Sequence, residues 1–220
     1  MTTGRPPGPR SRTLSSRRWL ERQARDPYVK DAKAKGLRSR AAFKLAQLDD
    51  RFRLLRKGAR VVDLGAAPGG WSQVAAYRVG PAGRVVAVDL QPMDPIPGVV
   101  VLTLNGTTDS ALDAVRAALG GPADVVLSDM AAPATGDRAT DHLRIVALAE
   151  AALDIARRLL APGGAFVCKV LQGGATRDLL ADVKRDFADV RHAKPPASRA
   201  DSREVYLIAQ GVRGGAAPTG

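Results

Sequence analysis

A glycine-rich segment in the first half of the sequence has the residue types and spacing of a ligand-binding turn. The apolar stretch Arg60–Leu64 predicts a strand, which runs into Gly65, two further glycines and a predicted helix from Trp71. Glycines let a backbone approach a ligand closely, and in open α/β sheets ligands lie at the carboxyl ends of strands. The segment therefore predicts a ligand site between this strand and the helix.

Two carboxylates accompany the turn. Asp63 lies two residues before Gly65, and Asp89 follows 26 residues after Asp63, at the end of the next predicted strand. A carboxylate in the position of Asp89 accepts hydrogen bonds from both ribose hydroxyls of an adenosine. The segment thus indicates an adenosine-containing cofactor, with Asp63, Gly65 and Asp89 as candidate contacts.

The same architecture also serves NAD, so spacing alone leaves two cofactor classes open. The turn reads Gly-x-x-x-Gly-Gly and lacks the Gly-x-Gly-x-x-Gly that brings a pyrophosphate onto a helix N-terminus. The carboxylate of Asp63 would repel a pyrophosphate, whereas the amine and sulfonium of S-adenosylmethionine tolerate an acid nearby. These features favour the methyl donor. A purely structural role for Asp63, accepting backbone N–H bonds in the turn, stays open.

Lys169 is the second candidate for chemistry. It ends an apolar run, Ala165–Cys168, that predicts a strand. A buried lysine is unfavourable unless it is paired or functional, and burial or a second cation turns an amine into a usable base. From the residues alone, this role and a lysine that reaches solvent from the strand end are equally supported.

The net charge of +12 is carried entirely by the N-terminal quarter. Residues 1–57 contain 17 Lys and Arg against 5 Asp and Glu, whereas residues 58–220 contain 17 of each. Cations clustered beside a neutral body favour a nucleic-acid partner, because neutralised phosphates release counterions. The alternative is a solvated tail that aids solubility.

Strand-like and helix-like segments alternate through the rest of the chain. This order predicts an α/β fold with a mostly parallel sheet covered on both faces. We divide the chain into a basic, partly disordered extension (1–35), a Rossmann-like domain (36–210) and a flexible tail (211–220). Apolar runs are too short for a membrane span, and no secretory leader is evident, which predicts a cytoplasmic protein. A single cysteine and two histidines predict no metal centre.

Six segments together resemble the FtsJ/RrmJ family of ribose 2′-O-methyltransferases over about residues 25–210. The most specific is Asp-Leu-Gly-Ala-Ala-Pro-Gly-Gly-Trp-Ser-Gln at 63–73. The others are Ser-Arg-Ala-Ala-Phe-Lys-Leu (39–45), Asp-Leu-Gln-Pro-Met-Asp (89–94), Ser-Asp-Met-Ala (128–131), Phe-Val-Cys-Lys-Val-Leu-Gln-Gly (166–173) and Ser-Arg-Glu-Val-Tyr (202–206).

The resemblance implies an S-adenosylmethionine-dependent methyltransferase with a seven-stranded sheet and an antiparallel last strand. It also implies a catalytic Lys-Asp-Lys-Glu tetrad and a set of cofactor contacts. The substrate that it implies is a uridine in the A loop of 23S rRNA, methylated within assembled large ribosomal subunits. Related branches act on tRNA or mRNA caps, and these residues do not exclude such substrates. The implied tetrad is Lys44, Asp129, Lys169 and Glu204, and the implied cofactor contacts are Gly69, Trp71, Asp89, Asn105 and Asp129.

Two positions depart from the family pattern. Residue 105 is asparagine where the family usually has aspartate, and because an amide oxygen still accepts a hydrogen bond, we expect weaker cofactor binding rather than its loss. Residues 132–136 read Ala-Pro-Ala-Thr-Gly where the family more often has Pro-Asn-Met-Ser-Gly, which predicts a differently shaped loop beside the RNA.

Basic residues flank two of the tetrad positions. We predict that they follow the RNA phosphates towards the site, since such contacts position RNA without reading its sequence. A non-catalytic RNA-binding assembly factor on the same scaffold and an NAD-dependent enzyme remain alternatives, and a monomer is expected. The residues predicted to contact RNA are Lys35, Arg38, Arg40, Arg199 and Arg203.

Overall fold

The computed structural model describes residues 26–133, 135–172 and 177–214. The predicted extension up to residue 25, the end of the tail from 215, Ala134 and the last residue of the 166–173 segment lie outside the described residues. The elements, in chain order, are α1 (Pro27–Ala34), α2 (Ala41–Phe52), β1 (Arg60–Leu64), α3 (Gly70–Val79), β2 (Arg84–Asp89), β3 (Val99–Thr103), α4 (Asp109–Leu119), β4 (Ala123–Ser128), α5 (Arg138–Leu159), β5 (Leu160–Leu171), α6 (Arg177–Asp186), β6 (Phe187–Ala193) and β7 (Glu204–Val212).

The seven strands form one sheet in the order β3-β2-β1-β4-β5-β7-β6. The pairs from β3 to β5 are parallel, and β7 runs antiparallel to both of its neighbours. The chain order reverses between β1 and β4, and ligands of open α/β sheets bind at this kind of switch point. The predicted fold class, including the antiparallel last strand, is confirmed.

Helices cover the sheet on both faces because neighbouring strand residues point to opposite sides. Val61 packs with α2 and α3, whereas Val62 packs with α4 and α5. The same alternation places Val167, Tyr206 and Ile208 on the α2 and α3 side. It follows that Asp63, Lys169 and Glu204, each two residues from one of these, also lie on that side.

Helix α1 was not predicted from the sequence. Its start has a regular cap, since the Asp26 side chain accepts a hydrogen bond from the Tyr28 backbone N–H and Pro27 occupies the first turn. Only Ala32 of this helix is buried. The helical apolar period is therefore too weak to see in the sequence, and packing of the Tyr28 ring on Phe43, 5.4 Å between centroids, holds the helix on α2.

Strand β7 continues to Val212, two residues beyond the predicted end of the domain. Among the described helices, none has the length and apolar character needed to cross a membrane.

Candidate active site

The turn between β1 and α3 requires its glycines. Gly65 has φ +72°, and a Cβ there would lie 2.6 Å from Cγ of Met130. Gly69 has φ +105°, and a Cβ there would lie 2.6 Å from Cδ1 of Ile96. Both conformations lie in the region that disfavours side chains, so the backbone itself forms this wall of the site.

Asp63 is fully buried below the turn. Its Oδ2 accepts a hydrogen bond of 2.6 Å from the Ser72 hydroxyl, and its Oδ1 has no partner among the residues that the structure describes. Burial raises the pKa of Asp63 to about 7; the Ser72 hydrogen bond opposes this shift, and the charges of Asp129 and Asp89 add to it. A carboxylate so placed would be stabilised by a cationic ligand group.

We expect the variant Asp63→Asn to change stability in a pH-dependent way. The folded pKa is near 7 and the ordinary value is 3.8, so the folded protein holds the proton more tightly between these values. Wild-type protein therefore loses stability as the pH rises through this interval, and the variant lacks that loss. Thermal unfolding at pH 5 and pH 8 should show the variant gaining about 2 kcal/mol relative to wild type at the higher pH. If the variant and wild type differed in unfolding free energy by the same amount at both pH values, the raised pKa of Asp63 would be contradicted.

Asp89, the last residue of β2, stabilises the turn through hydrogen bonds to its carboxylate. One carboxylate oxygen accepts from the backbone N–H of Ala67 at 2.9 Å and the other from Gln91 at 2.8 Å. A groove of about 630 Å³ opens beside it, lined by Pro68, Met93 and other residues of these loops. Each carboxylate oxygen keeps a further lone pair, so the predicted ribose contact stays a prediction.

Trp71 and Asn105 both make hydrogen bonds within the protein, and their predicted cofactor contacts stay predictions. The Trp71 indole is buried in the core, donates to the Ala41 carbonyl at 2.8 Å and packs on Tyr206. The Asn105 side-chain oxygen already accepts from the Thr107 N–H and hydroxyl, at 3.2 and 2.9 Å. An adenine amino group would share this acceptor with Thr107, which is consistent with the weaker cofactor contact expected at this position.

The four residues of the predicted tetrad lie together at the carboxyl edge of the sheet. Lys169 Nζ donates to the Asp129 carbonyl at 2.7 Å and to its carboxylate at 3.1 Å, and lies 3.8 Å from Glu204. Lys44 Nζ donates to the other Glu204 oxygen at 3.1 Å. The Lys169 side chain is 5% exposed, so it does not reach into solvent as the alternative interpretation required.

Tyr206 joins this cluster, although the sequence did not single it out as a site residue. Its hydroxyl donates to the Asp129 carboxylate at 2.8 Å and accepts from Lys44 Nζ at 3.1 Å. Tyr206 is the cross-strand partner of Lys169 and lies two residues after Glu204 on the same face of β7. The period of two along a strand is a signal that indicates this placement.

Neighbouring charges shift the pKa values of Glu204 and Tyr206 in opposite directions. Burial acts to raise the pKa of Glu204, but the charges of Lys44 and Lys169 outweigh it, and the net pKa lies below the ordinary value. Burial, followed by the charges of Asp129 and Glu204, holds the pKa of Tyr206 well above its ordinary value. Tyr206 therefore stays a phenol that donates its hydrogen bond to the Asp129 carboxylate.

The four arginines predicted to contact RNA all have acceptors within the protein. Arg38 donates to the carbonyls of Pro68, Asp94 and Pro95, at distances of 3.2, 2.6 and 2.7 Å. Arg38 thus fixes the loop after β2 against the glycine turn, and phosphate contact by its guanidinium stays a prediction.

The other residues predicted to contact RNA also interact with groups of the protein itself. Arg40 Nε lies 3.0 Å from Asp26, and Arg199 Nε lies 3.3 Å from the same carboxylate. Arg203 is exposed and donates to the Gln172 carbonyl at 3.0 Å, and Lys35 is exposed over the Phe43 ring. Among the described residues, none of these side chains bonds to a tetrad residue, but Arg40 and Arg199 line a cavity of about 250 Å³ together with Glu204.

Asp26 ties three segments together, and we expect Asp26→Ala to lower stability strongly. The variant removes the α1 cap and leaves two partly buried guanidinium groups, Arg40 and Arg199, without their shared carboxylate. Breaking such a pair and a helix cap lowers the free energy of unfolding by about 3 kcal/mol. Urea unfolding would measure this loss. Asp31→Ala, an exposed aspartate on the same helix, is the matched control, and an equal loss in both variants would contradict the role of Asp26.

The fold and the site together define a Rossmann-like methyltransferase. The chain belongs to the FtsJ-like methyltransferase family, whose sequence pattern matches residues 37–212. The resemblance deduced from the six segments is therefore confirmed, and the NAD-dependent alternative is not supported.

Related proteins cover most of the chain. A protein of Xanthobacter autotrophicus named ribosomal RNA large subunit methyltransferase E is 58% identical over 208 residues, which are 93% of this chain and 82% of that protein. A protein of Acidiphilium cryptum with the same name is 61% identical over 199 residues, or 90% of this chain and 88% of that protein.

Solved structures show the same architecture. A crystal structure from Plasmodium falciparum, described as a ribosomal RNA methyltransferase, has a TM-score of 0.72 at 29% identity and covers 81% of this chain and all of that one. A SAM-dependent O-methyltransferase of Thermotoga maritima has a TM-score of 0.53 at 12% identity, covering 78% of this chain and 66% of that one, and shows the fold alone.

Proposed function

We propose that this protein uses S-adenosylmethionine to methylate a ribose 2′-hydroxyl of RNA, at a uridine in the A loop of 23S rRNA within the large ribosomal subunit. The observation that carries the proposal is the buried cluster in which Lys169 and Lys44 are each held by a carboxylate beside the glycine turn. Relatives named ribosomal RNA large subunit methyltransferase E support the choice of RNA.

The residues at the turn fit the proposed cofactor. The unpartnered Oδ1 of Asp63 suits a cationic group such as the amine of a methionine moiety. Asp89 would hold the ribose, and the backbone at Gly65 and Gly69 would allow close approach. S-adenosylmethionine, when bound, supplies a methyl group on a positively charged sulfur, which is already activated for attack by an oxygen nucleophile.

A ribose hydroxyl is a poor nucleophile at neutral pH and needs a base or a precise electrostatic environment. We assign Lys169 to the hydroxyl, which it orients or whose proton it accepts. Asp129 fixes Lys169 through two hydrogen bonds, and Glu204 holds Lys44 beside it. Tyr206 fixes the Asp129 carboxylate from the other side. Much of the acceleration would come from alignment of the hydroxyl with the methyl group.

The test is methyl transfer from labelled S-adenosylmethionine to large subunits from cells that lack this protein. The expected result is one methyl group per particle, mapped to a ribose of the A loop, with thermal stabilisation of the protein by S-adenosylmethionine and not by NAD. Methylation of tRNA instead would reject the proposed substrate. Binding to particles with no transfer would favour the non-catalytic assembly factor.

The proposed partner is the assembled large ribosomal subunit, which places the reaction in the cytoplasm. A monomer is expected, and sedimentation of the purified protein at micromolar concentration measures this.

A further inference from the structure

We propose a second RNA-contact surface outside the active site, formed along the outer side of helix α3 and continued by a group of cations at its far end. We call it the α3 track and define it by Lys35, Arg53, Arg56, Lys57 and Tyr77. The proposal rests on the proposed function, because it takes RNA as the substrate.

Helix α3 connects the active-site edge of the sheet to the opposite edge. In its first turn, Gln73 bonds to the Arg38 N–H and the Gly36 carbonyl, next to the glycine turn. At its end, the Val79 carbonyl accepts from the N–H of Gly58, which lies just before β1. A groove of about 720 Å³ runs beside the helix from Lys35 to Pro81. The groove therefore leads away from the candidate active site.

Tyr77 is the aromatic side chain of this groove. It is 81% exposed, and this exposure leaves its ring free for a planar partner. Nucleic-acid bases stack on exposed aromatic rings in proteins that bind single strands without sequence preference. Lys35, at the end near the active site, adds a cation for the phosphate that accompanies such a base.

The segment before β1 carries cations without acidic partners, and its Lys57 lies beside Gly80 at the far end of the groove. Arg53, Arg56 and Lys57 are exposed, and none of them has an ion pair among the residues that the structure describes. The nearest acids in sequence, Asp49 and Asp50, are both paired with Arg78. Three free positive charges within five positions, beside a groove, suit a phosphate backbone rather than a neutral peptide.

Arg53 adds an independent observation. It follows the last residue of α2 with φ +56°, a left-handed conformation in which glycine is strongly favoured. The chain places a long cation at a position where the backbone favours glycine, and we include this side chain in the α3 track.

The length of the track sets the size of the ligand. Ten helical residues span about 15 Å, which corresponds to about four stacked nucleotides at a spacing of about 3.4 Å. The α3 track thus accepts a single-stranded RNA segment adjoining the segment in the active site.

The experiment measures binding of oligouridylates of 4, 8 and 12 nucleotides by fluorescence anisotropy over a range of salt concentrations. For wild-type protein, affinity should rise with length as the track is filled. The double variant Arg56→Gln/Lys57→Gln should bind the longer oligomers little more tightly than the shortest one. Its slope of log affinity against log salt concentration should be shallower than that of wild type by about 1.4. Tyr77→Ala should weaken binding of the longer oligomers about tenfold with an unchanged salt slope.

Two further variants separate RNA contact from folding. Arg53→Gly should bind with a shallower salt slope, while its Tm equals or exceeds that of wild type. Arg177→Gln/Lys184→Gln removes two exposed cations on α6, which packs on the other face of the sheet, and should behave as wild type. Equal affinities and salt slopes in the track variants and this control would overturn the proposal. Because this experiment measures RNA binding and not methyl transfer, such a result would reject the α3 track alone. The proposed function is rejected only by the methyl-transfer assay.

Discussion

We expect Lys169→Met to lower the rate of the proposed methyl transfer at least about 1,000-fold, while the affinity for S-adenosylmethionine should change by less than about threefold. Proton transfer and orientation by a positioned side chain contribute 10²- to 10⁴-fold, and methionine retains the shape of the buried stem but no amine. Asp129 keeps the hydrogen bond from Tyr206, so the local structure persists.

Single-turnover transfer to unmethylated large subunits and calorimetric titration with the methyl donor measure the two effects separately. Lys184→Met, which alters an exposed lysine on α6, is the control and should retain full activity. Turnover of the Lys169 variant near the wild-type rate would remove this side chain from the mechanism.

Lys44→Met and Glu204→Gln should each lower the rate by about 100-fold, and the double variant should lose little more than either single one. The reason is that Glu204 acts through the lysine it holds, with 3.1 Å between Lys44 Nζ and the carboxylate, so removing either group disables the same unit. Residues that act as a unit show strongly non-additive losses.

The double-mutant cycle on the methyl-transfer rate measures this coupling, with thermal unfolding recorded for each variant. Arg116→Met and Asp113→Asn supply a control pair, since this exposed ion pair on α4 lies outside the site. If the losses of the Lys44 and Glu204 variants multiply in the double variant, the two residues act independently and the proposed pairing is wrong.

The sequence predicts much of the fold because the relevant signals are local. Strand β1 begins and ends at the predicted residues, and β2 ends at Asp89 as predicted, since apolar runs bounded by turns mark buried strands. Helix α1 was missed because one buried residue in eight leaves hardly any apolar period to detect. Its position depends on contacts of Asp26 and Tyr28 with distant segments, which no local pattern reveals.

In the predicted site, too, some features follow from local sequence and others depend on contacts between distant segments. The glycine turn is a local feature, whereas Lys44 and Glu204 are 160 residues apart and meet only because α2 packs on the face of the sheet to which Glu204 points. The three carbonyl acceptors of Arg38 likewise come from segments distant in the sequence, so its charge alone could not reveal them, and its phosphate contact stays a prediction.

By itself, the sequence determined the order of strands and helices, the position of the glycine turn and the concentration of positive charge before residue 58. Only the tertiary structure decided that Lys169 is buried against Asp129, that Tyr206 completes the cluster, and that Asp26 holds Arg40 and Arg199. The physical reason is that periodicity and turn chemistry act over a few residues, whereas the partner of a charged side chain is chosen by the strand register and helix packing of the whole chain.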